Sequence, residues 1–258
     1  MELNISGRTA IVCGVETDLG DACAAALARE GVHLILPGTD ANVLSAAAER
    51  YGSSGAEIAT VVCDICDSEG RQALLGQWTK PDILINHGAG PRIGDWRGWT
   101  REDWLQAIES SMLSAVEMIR LTLDGMVDRG YGRIVNITSQ SVKSPMADLD
   151  LSNAARAGLT GFVAGVARYP RNADVTINNL LPGLFDTGPL RRYIERQAIE
   201  KNMDVTSVSN HILRANPLGR LGKPEEFGAL CAFLVSPWAG YINGQNLLID
   251  GGSFRSVL

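Results

Sequence analysis

The chain has 258 residues, 45% of them hydrophobic, and a formal net charge of −6. That length can bury one large α/β core, and an acidic chain without a basic run excludes a surface built to track a phosphate backbone, so no nucleic-acid partner is expected. No apolar run approaches the ~20 residues that span a bilayer and no charged-then-apolar leader opens the chain, so no membrane span or signal peptide is expected and the cytoplasm is the expected location.

Apolar strand-like runs alternate with helix-period segments along most of the length. Thr9 to Cys13 reads as strand one and Leu19 to Arg29 as an Ala-rich helix. Val32 to Leu36 is strand two, Asn42 to Tyr51 a helix, Glu57 to Cys63 strand three and Asp82 to Asn86 strand four. Arg101 to Arg129 reads as one long helix, Arg133 to Ile137 as strand five, Leu151 to Arg168 as a helix with many small residues, and Val175 to Leu180 as strand six. Pro224 to Leu234 is a helix, and Asn246 to Ile249 closes as strand seven. Short continuous apolar strands separated by helices predict a parallel sheet covered on both faces. One doubly wound α/β domain over residues 1–258, with a seven-stranded parallel sheet, is therefore expected. Right-handed crossovers place the C-terminal ends of all strands on one edge, where ligands of such sheets bind. The polar segment Leu184 to Asn216 is expected to be irregular and to form a substrate lid over residues 184–216.

Five cysteines in so long a chain read as reduced thiols. Cys63 and Cys66 form a C-x-x-C, but no second Cys/His pair stands at ligand spacing, so no metal site is expected.

Several motifs follow in order. Cys13-Gly14-Val15-Glu16-Thr17-Asp18-Leu19-Gly20 fits a T-G-x-x-x-G-x-G turn after strand one, and Asp64-Ile65 follows strand three. Asn86-His87-Gly88-Ala89 fits N-N-A-G after strand four, and Ile137-Thr138-Ser139 ends strand five. Pro182-Gly183 with Thr187 fits P-G-x-x-x-T, and Asn243-Gly244-Gln245 precedes Asp250-Gly251-Gly252 near the end. With these in register, the chain resembles the short-chain dehydrogenase/reductase superfamily over essentially its whole length, in particular the branch that includes 3-oxoacyl-carrier-protein reductases. The resemblance implies a Rossmann-type domain binding NAD or NADP through Gly14, Asp18, Leu19, Gly20, Thr39, Asp64, Ile65, Asn86, Gly88, Arg156, Pro182, Gly183 and Thr187. Within it, Asp64 caps the adenine, the Pro182 segment faces the nicotinamide, Ser139 contacts the substrate oxygen, and the protein is a homodimer or homotetramer.

The departures concern chemistry. Members of the superfamily carry Tyr-x-x-x-Lys thirteen residues after the catalytic Ser, and that position is Ser152, followed by Arg156. The flanking Ala154-Ala155 and Ala157-Gly158 fix the register, so these are substitutions. The family's Asn in the long helix is replaced by Ser111, which leaves Ser139 alone of the four. Residues four apart on a helix share a face, so Ser152 and Arg156 both face the cleft. A Ser hydroxyl is a poorer proton donor than a phenol, and losing a positioned acid/base costs about 10²–10⁴ in rate. Arg156 still hydrogen-bonds ribose hydroxyls, but a guanidinium does not deprotonate as Lys does.

Three other residues bear on the lost Tyr: Lys143 beyond strand five, able to polarise a carbonyl or to sit in solvent; Tyr193 in the lid, a donor or a packing residue; and His87, a cleft residue or a structural one. Glu16 and Asp18 place like charge near the phosphates unless their side chains turn away. At the end of strand two, Pro37-Gly38-Thr39 supplies neither the acid that selects NAD nor the Arg that selects NADP, although Asp40 lies nearby. Three functions are open: an NAD(P)-linked oxidoreductase on a carbonyl or alcohol with an altered proton donor; a non-redox lyase, hydrolase or dehalogenase-like enzyme on the same scaffold; and a non-catalytic homologue.

Overall fold

The computed structural model describes residues 1–77 and 80–256. Among them, seven strands form one parallel sheet: β1 (Thr9–Val12), β2 (His33–Gly38), β3 (Ile58–Val62), β4 (Ile83–Asn86), β5 (Tyr131–Ile137), β6 (Asp174–Pro182) and β7 (Asn246–Ile249). Their spatial order is β3-β2-β1-β4-β5-β6-β7, so the direction of winding reverses between β1 and β4. That reversal opens the crevice in which doubly wound sheets bind ligands.

Because β1 and β4 are buried on both faces, their apolar runs are continuous rather than alternating, and β5 is fully buried although Arg133 and Asn136 lie within it. On one face, α1 (Asp18–Arg29), α2 (Ala41–Gly52) and α9 (Pro224–Leu234) cover a core that includes Leu27, Leu44 and Phe227. On the other, α3 (Ser68–Gln77), α5 (Ser114–Asp128) and α6 (Asp150–Val166) cover Leu74, Met118 and Leu159. Small residues let α1 and α9 touch backbone to backbone: a β-carbon on Gly228 would lie 2.3 Å from the Ala22 carbonyl oxygen.

Three expectations are corrected. The helix α3 was not anticipated, because only Gly70 and Leu74 of it are buried and its apolar period is faint. The single long helix is broken into α4 (Arg101–Ile108), a π-helical turn over Glu109–Leu113, and α5. A π turn places an extra residue in the coil and commonly marks a functional site; here it carries Ser111. The segment expected to be irregular is mostly helical, with α7 (Gly188–Lys201) and α8 (Val205–Leu213). Its termination signals are clear in retrospect: Pro189 in the first turn, Asn202 in the left-handed conformation at φ 50°, and Asp204 capping α8 through Ser207 N–H at 2.8 Å. The two helices bury Ile194, Ala198 and Val208 against each other, a patch too small to show as a strong amphipathic period.

Four asparagines lie side by side across β4 to β7, in the registers Asn86–Asn136, Asn136–Asn179 and Asn179–Asn246. Each amide nitrogen donates to the next carbonyl oxygen: Asn86 to Asn136 at 2.9 Å, Asn136 to Asn179 at 3.1 Å, and Asn179 to Asn246 at 2.8 Å. This polar ladder runs through the buried half of the sheet and ends at Asn86, the last residue of β4.

Candidate active site

The crevice is built first from backbone. Thr17 caps α1, its hydroxyl accepting from Gly20 N–H at 3.1 Å and donating to the Gly14 carbonyl at 2.8 Å. Gly14 adopts φ 77°, and a β-carbon there would lie 2.7 Å from the His87 carbonyl oxygen. A β-carbon on Gly20 would lie 2.0 Å from the Gly14 carbonyl oxygen, so both positions require glycine. Leu19 and Gly20 belong to the buried face of α1, whose N-terminus opens into the turn.

A cleft of about 190 Å³ runs from this turn over the ends of β2 and β3, lined among others by Gly14, Glu16, Thr39, Asp64, Ile65 and Gly88. Asp64 Oδ1 accepts from Cys66 N–H at 2.8 Å, which fixes the turn after β3. Burial, followed by the Asp64 charge, pushes the Cys66 thiol up to about 12, so this C-x-x-C does not present a thiolate. No group of three His, Cys, Asp or Glu arranged to hold a metal ion occurs among the described residues.

The Asp18 carboxylate has partners across the crevice: Oδ2 accepts from Gly188 N–H at 3.0 Å, and Oδ1 lies 3.8 Å from Arg191. Arg191 also pairs with Asp186 at 2.7 Å. The acid that replaces a glycine thus ties the start of α1 to the positive N-terminus of α7. Thr187 is the N-cap residue of α7, while Gly183 is pressed against Asp250, with a β-carbon there only 2.6 Å from its Cα. Pro182 ends β6 beside Ile249.

On α6, Ser152 and Arg156 meet. Arg156 Nε donates to Ser152 Oγ at 3.1 Å, and Nη1 donates to the Ile137 carbonyl at 2.9 Å. Arg156 is 6% exposed, and burial pulls its pKa down to about 10, so it remains a cation at neutral pH. Ser139, two residues beyond Ile137, caps a short 3-10 turn over Gln140–Val142, its hydroxyl oxygen accepting from Ser141 N–H at 3.1 Å.

Under the cleft floor, a small cavity of about 10 Å³ is bordered by Asn86, His87, Ser111 and Arg156. Asn86 Oδ1, His87 Nδ1 and Ser111 Oγ are buried there without hydrogen-bond partners among the described residues. Burial and then the Arg156 charge lower the His87 pKa to about 3, against the Ile137 carbonyl, so the imidazole is neutral. The pH consequence has a definite sign. The unfolded chain binds this proton below about pH 6.5 and the folded chain only below about pH 3, so stability falls as pH drops through that window. Replacing His87 by Asn is expected to remove about 2–3 kcal/mol of the stability lost between about pH 7 and about pH 4. Urea denaturation at both pH values checks this; an unchanged pH slope in His87→Asn contradicts it.

The remaining candidates are not brought to Ser152. Lys143 is exposed, with Nζ 5.8 Å from the Phe254 ring. Tyr193 packs in the α7–α8 cluster with Leu190 and Ile212, and Arg196 lies over its ring at 5.8 Å. Sequence reasoning missed two arrangements, the asparagine ladder and the Asp18 clasp. The ladder had a signal, an Asn recurring in β4, β5, β6 and β7; the clasp had none, because residues 170 apart in sequence form it.

A family model described as enoyl-(acyl carrier protein) reductase matches residues 14–253. The 3-oxoacyl-(acyl-carrier-protein) reductase of Pseudomonas aeruginosa is 30% identical over 260 residues, covering 98% of this chain and 100% of that protein. The corresponding reductase of Vibrio cholerae is 29% identical over 255 residues, covering 98% of this chain and 99% of its own. Among solved structures, L-sorbose reductase from Gluconobacter frateurii, complexed with NADPH and L-sorbose, superposes with a TM-score of 0.94 at 25% identity, all of both chains being covered. The NADPH-dependent reductase YwfH, involved in bacilysin biosynthesis, gives 0.90 at 26% identity, over 98% of this chain and 100% of that one.

Proposed function

Because this chain belongs to the short-chain dehydrogenase/reductase superfamily, within the family described as enoyl-(acyl carrier protein) reductase, we propose that it is an NAD(P)-linked oxidoreductase of a carbonyl or alcohol in which Ser152 takes the place of a phenol as proton donor. The observation that carries this reading is the bond from Arg156 Nε–H to Ser152 Oγ at 3.1 Å. A hydroxyl oxygen that accepts from a cation keeps its own proton free, and the adjacent charge stabilises the negative charge that grows on that oxygen when the proton leaves.

The residues fit a dinucleotide. Gly14 and Gly20 let the turn before α1 pack against backbone where no β-carbon would fit, the N-terminus of α1 favours negative charge, and unpartnered polar atoms border the floor beside it. Bound NAD(P) supplies the hydride in reduction and accepts it in oxidation. Ser139 and Ser152 each accept an N–H, from Ser141 and Arg156, so each hydroxyl keeps its own proton free to donate to a substrate oxygen. Ser139 orients that oxygen; Ser152 passes its proton to it and regains one from water. Arg156 is pinned by the Ile137 carbonyl and acts as a fixed charge rather than a proton carrier. Ser111 and Asn86 border the small cavity beside Arg156, and the Asp18 clasp positions α7 as the lid. Lys143 lies outside the proton path.

Incubating the protein with NADH or NADPH and a panel of ketones, keto sugars and 3-oxoacyl thioesters tests the reading. The expected result is carbonyl-dependent coenzyme oxidation with one alcohol formed per coenzyme consumed. Coenzyme binding without oxidation by any carbonyl of the panel would overturn it.

A further inference from the structure

We propose that Glu16 makes the cleft selective for the dinucleotide without a 2′-phosphate, so that the protein uses NAD(H) in preference to NADP(H). The inference rests on the oxidoreductase reading above and adds the coenzyme to it. It runs against the NADPH bound by L-sorbose reductase and used by YwfH.

In doubly wound sheets the adenosine ribose docks at the C-terminal end of the second strand, and a carboxylate there accepts hydrogen bonds from the ribose hydroxyls. Here β2 ends at Gly38, and a β-carbon on Gly38 would lie 3.2 Å from Glu16 Oε1. The acid arrives from the turn after β1 rather than from β2 itself, which is why the Pro37-Gly38-Thr39 segment gave no indication of coenzyme choice. Asp40, the nearer acid in sequence, is engaged elsewhere: its Oδ1 accepts from Asn42 N–H at 2.8 Å and Val43 N–H at 3.3 Å to cap α2.

The charge around the cleft points the same way. Its lining includes the carboxylates of Glu16 and Asp64, and no Lys or Arg among the described residues. Three cations on the neighbouring elements already have partners, and Arg192 of α7 lies beside Gly188 at the start of that helix rather than at the end of β2. Arg50 of α2 pairs with Asp21, Arg71 of α3 donates to the Ile65 carbonyl at 2.7 Å, and Arg191 of α7 sits between Asp18 and Asp186. A 2′-phosphate would bring more negative charge beside Glu16 with no partner to receive it, whereas a free 2′-hydroxyl gains an acceptor. Glu16 is exposed, so salt weakens the repulsion without reversing its sign.

Calorimetric titration of the purified protein with NADH, NADPH, 5′-AMP and 2′,5′-ADP tests this without recourse to turnover. NADH is expected to bind at least about tenfold tighter than NADPH, and 5′-AMP tighter than 2′,5′-ADP. In Glu16→Gln the NADH:NADPH ratio is expected to fall to within about threefold, mainly through tighter NADPH binding, whereas Asp40→Asn keeps the wild-type ratio. Thermal denaturation of each variant confirms that it is folded. Equal or tighter binding of NADPH by the wild type overturns the inference and leaves the oxidoreductase reading standing. So does an unchanged ratio in Glu16→Gln. Failure of both coenzymes to bind at millimolar concentration overturns the two together.

Discussion

Carbonyl reduction is expected to accelerate by about 10²–10⁴-fold when Ser152→Tyr and Arg156→Lys are introduced together, because they return a positioned acid to the site. The two positions are one helical turn apart and already in contact through Arg156 Nε and Ser152 Oγ at 3.1 Å, so a phenol and an ammonium placed there also meet. A phenol has a pKa of about 10 in water, and a neighbouring ammonium lowers it toward the working pH, where proton transfer is most effective. An alkyl hydroxyl lies far above that range even beside a guanidinium. The measurement is kcat for coenzyme oxidation by a ketone accepted by the wild type, with coenzyme Kd measured in parallel. An unchanged kcat, with Kd and thermal stability preserved, would show that the residue at 152 does not deliver the proton.

The largest expected loss of stability comes from the asparagine ladder. Asn136 is fully buried, accepts from Asn86 at 2.9 Å and donates to Asn179 at 3.1 Å. Asn136→Leu leaves an amide N–H and an amide carbonyl buried without partners, at about 1–3 kcal/mol each. For a chain of this size, about 2–4 °C per kcal/mol puts the fall in Tm at roughly 5–15 °C. Coenzyme affinity should fall too, since Asn86 leads directly into His87-Gly88 at the cleft floor. Asn246→Leu, at the half-buried end of the ladder, breaks one bond and is expected to cost about half as much. Equal destabilisation by the two substitutions would mean that the ladder adds nothing beyond local packing.

The strands were legible in the sequence because both sheet faces are covered, which gives β1 and β4 short continuous apolar runs and leaves β5 apolar apart from Arg133 and Asn136. Helices were legible where a wide face is buried, as in α1, and illegible where burial is slight, as in α3 with Gly70 and Leu74 alone. The lid shows the same limit: α7 and α8 pack mainly on each other, so their polar composition concealed two helices. The π turn at Ser111 could not be read from residue pattern, since one extra residue in a coil leaves the apolar spacing nearly intact. At the site, the spacing of Ser139, Ser152 and Arg156 was enough to pair the last two. It did not show that Arg156 is anchored to Ile137 or that burial, reinforced by the Arg156 charge, keeps His87 neutral. Charge effects were the least legible. Glu16 and Asp18 read alike as acids in a phosphate-binding turn, yet one lies beside the end of β2 and the other clasps α7, a difference set by segments remote in sequence.

The most direct test of Ser152 as proton donor is the single-turnover rate of hydride transfer, measured against pH in the wild type and in Ser152→Ala. The wild-type rate is expected to be flat from about pH 6 to about pH 9, since the neutral His87 does not titrate there and Arg156 keeps its charge throughout. Ser152→Ala is expected to transfer hydride at least about tenfold more slowly with coenzyme Kd unchanged. A Ser152→Ala rate equal to that of the wild type, or a wild-type profile that titrates near neutrality, would contradict proton delivery by the Ser152–Arg156 pair.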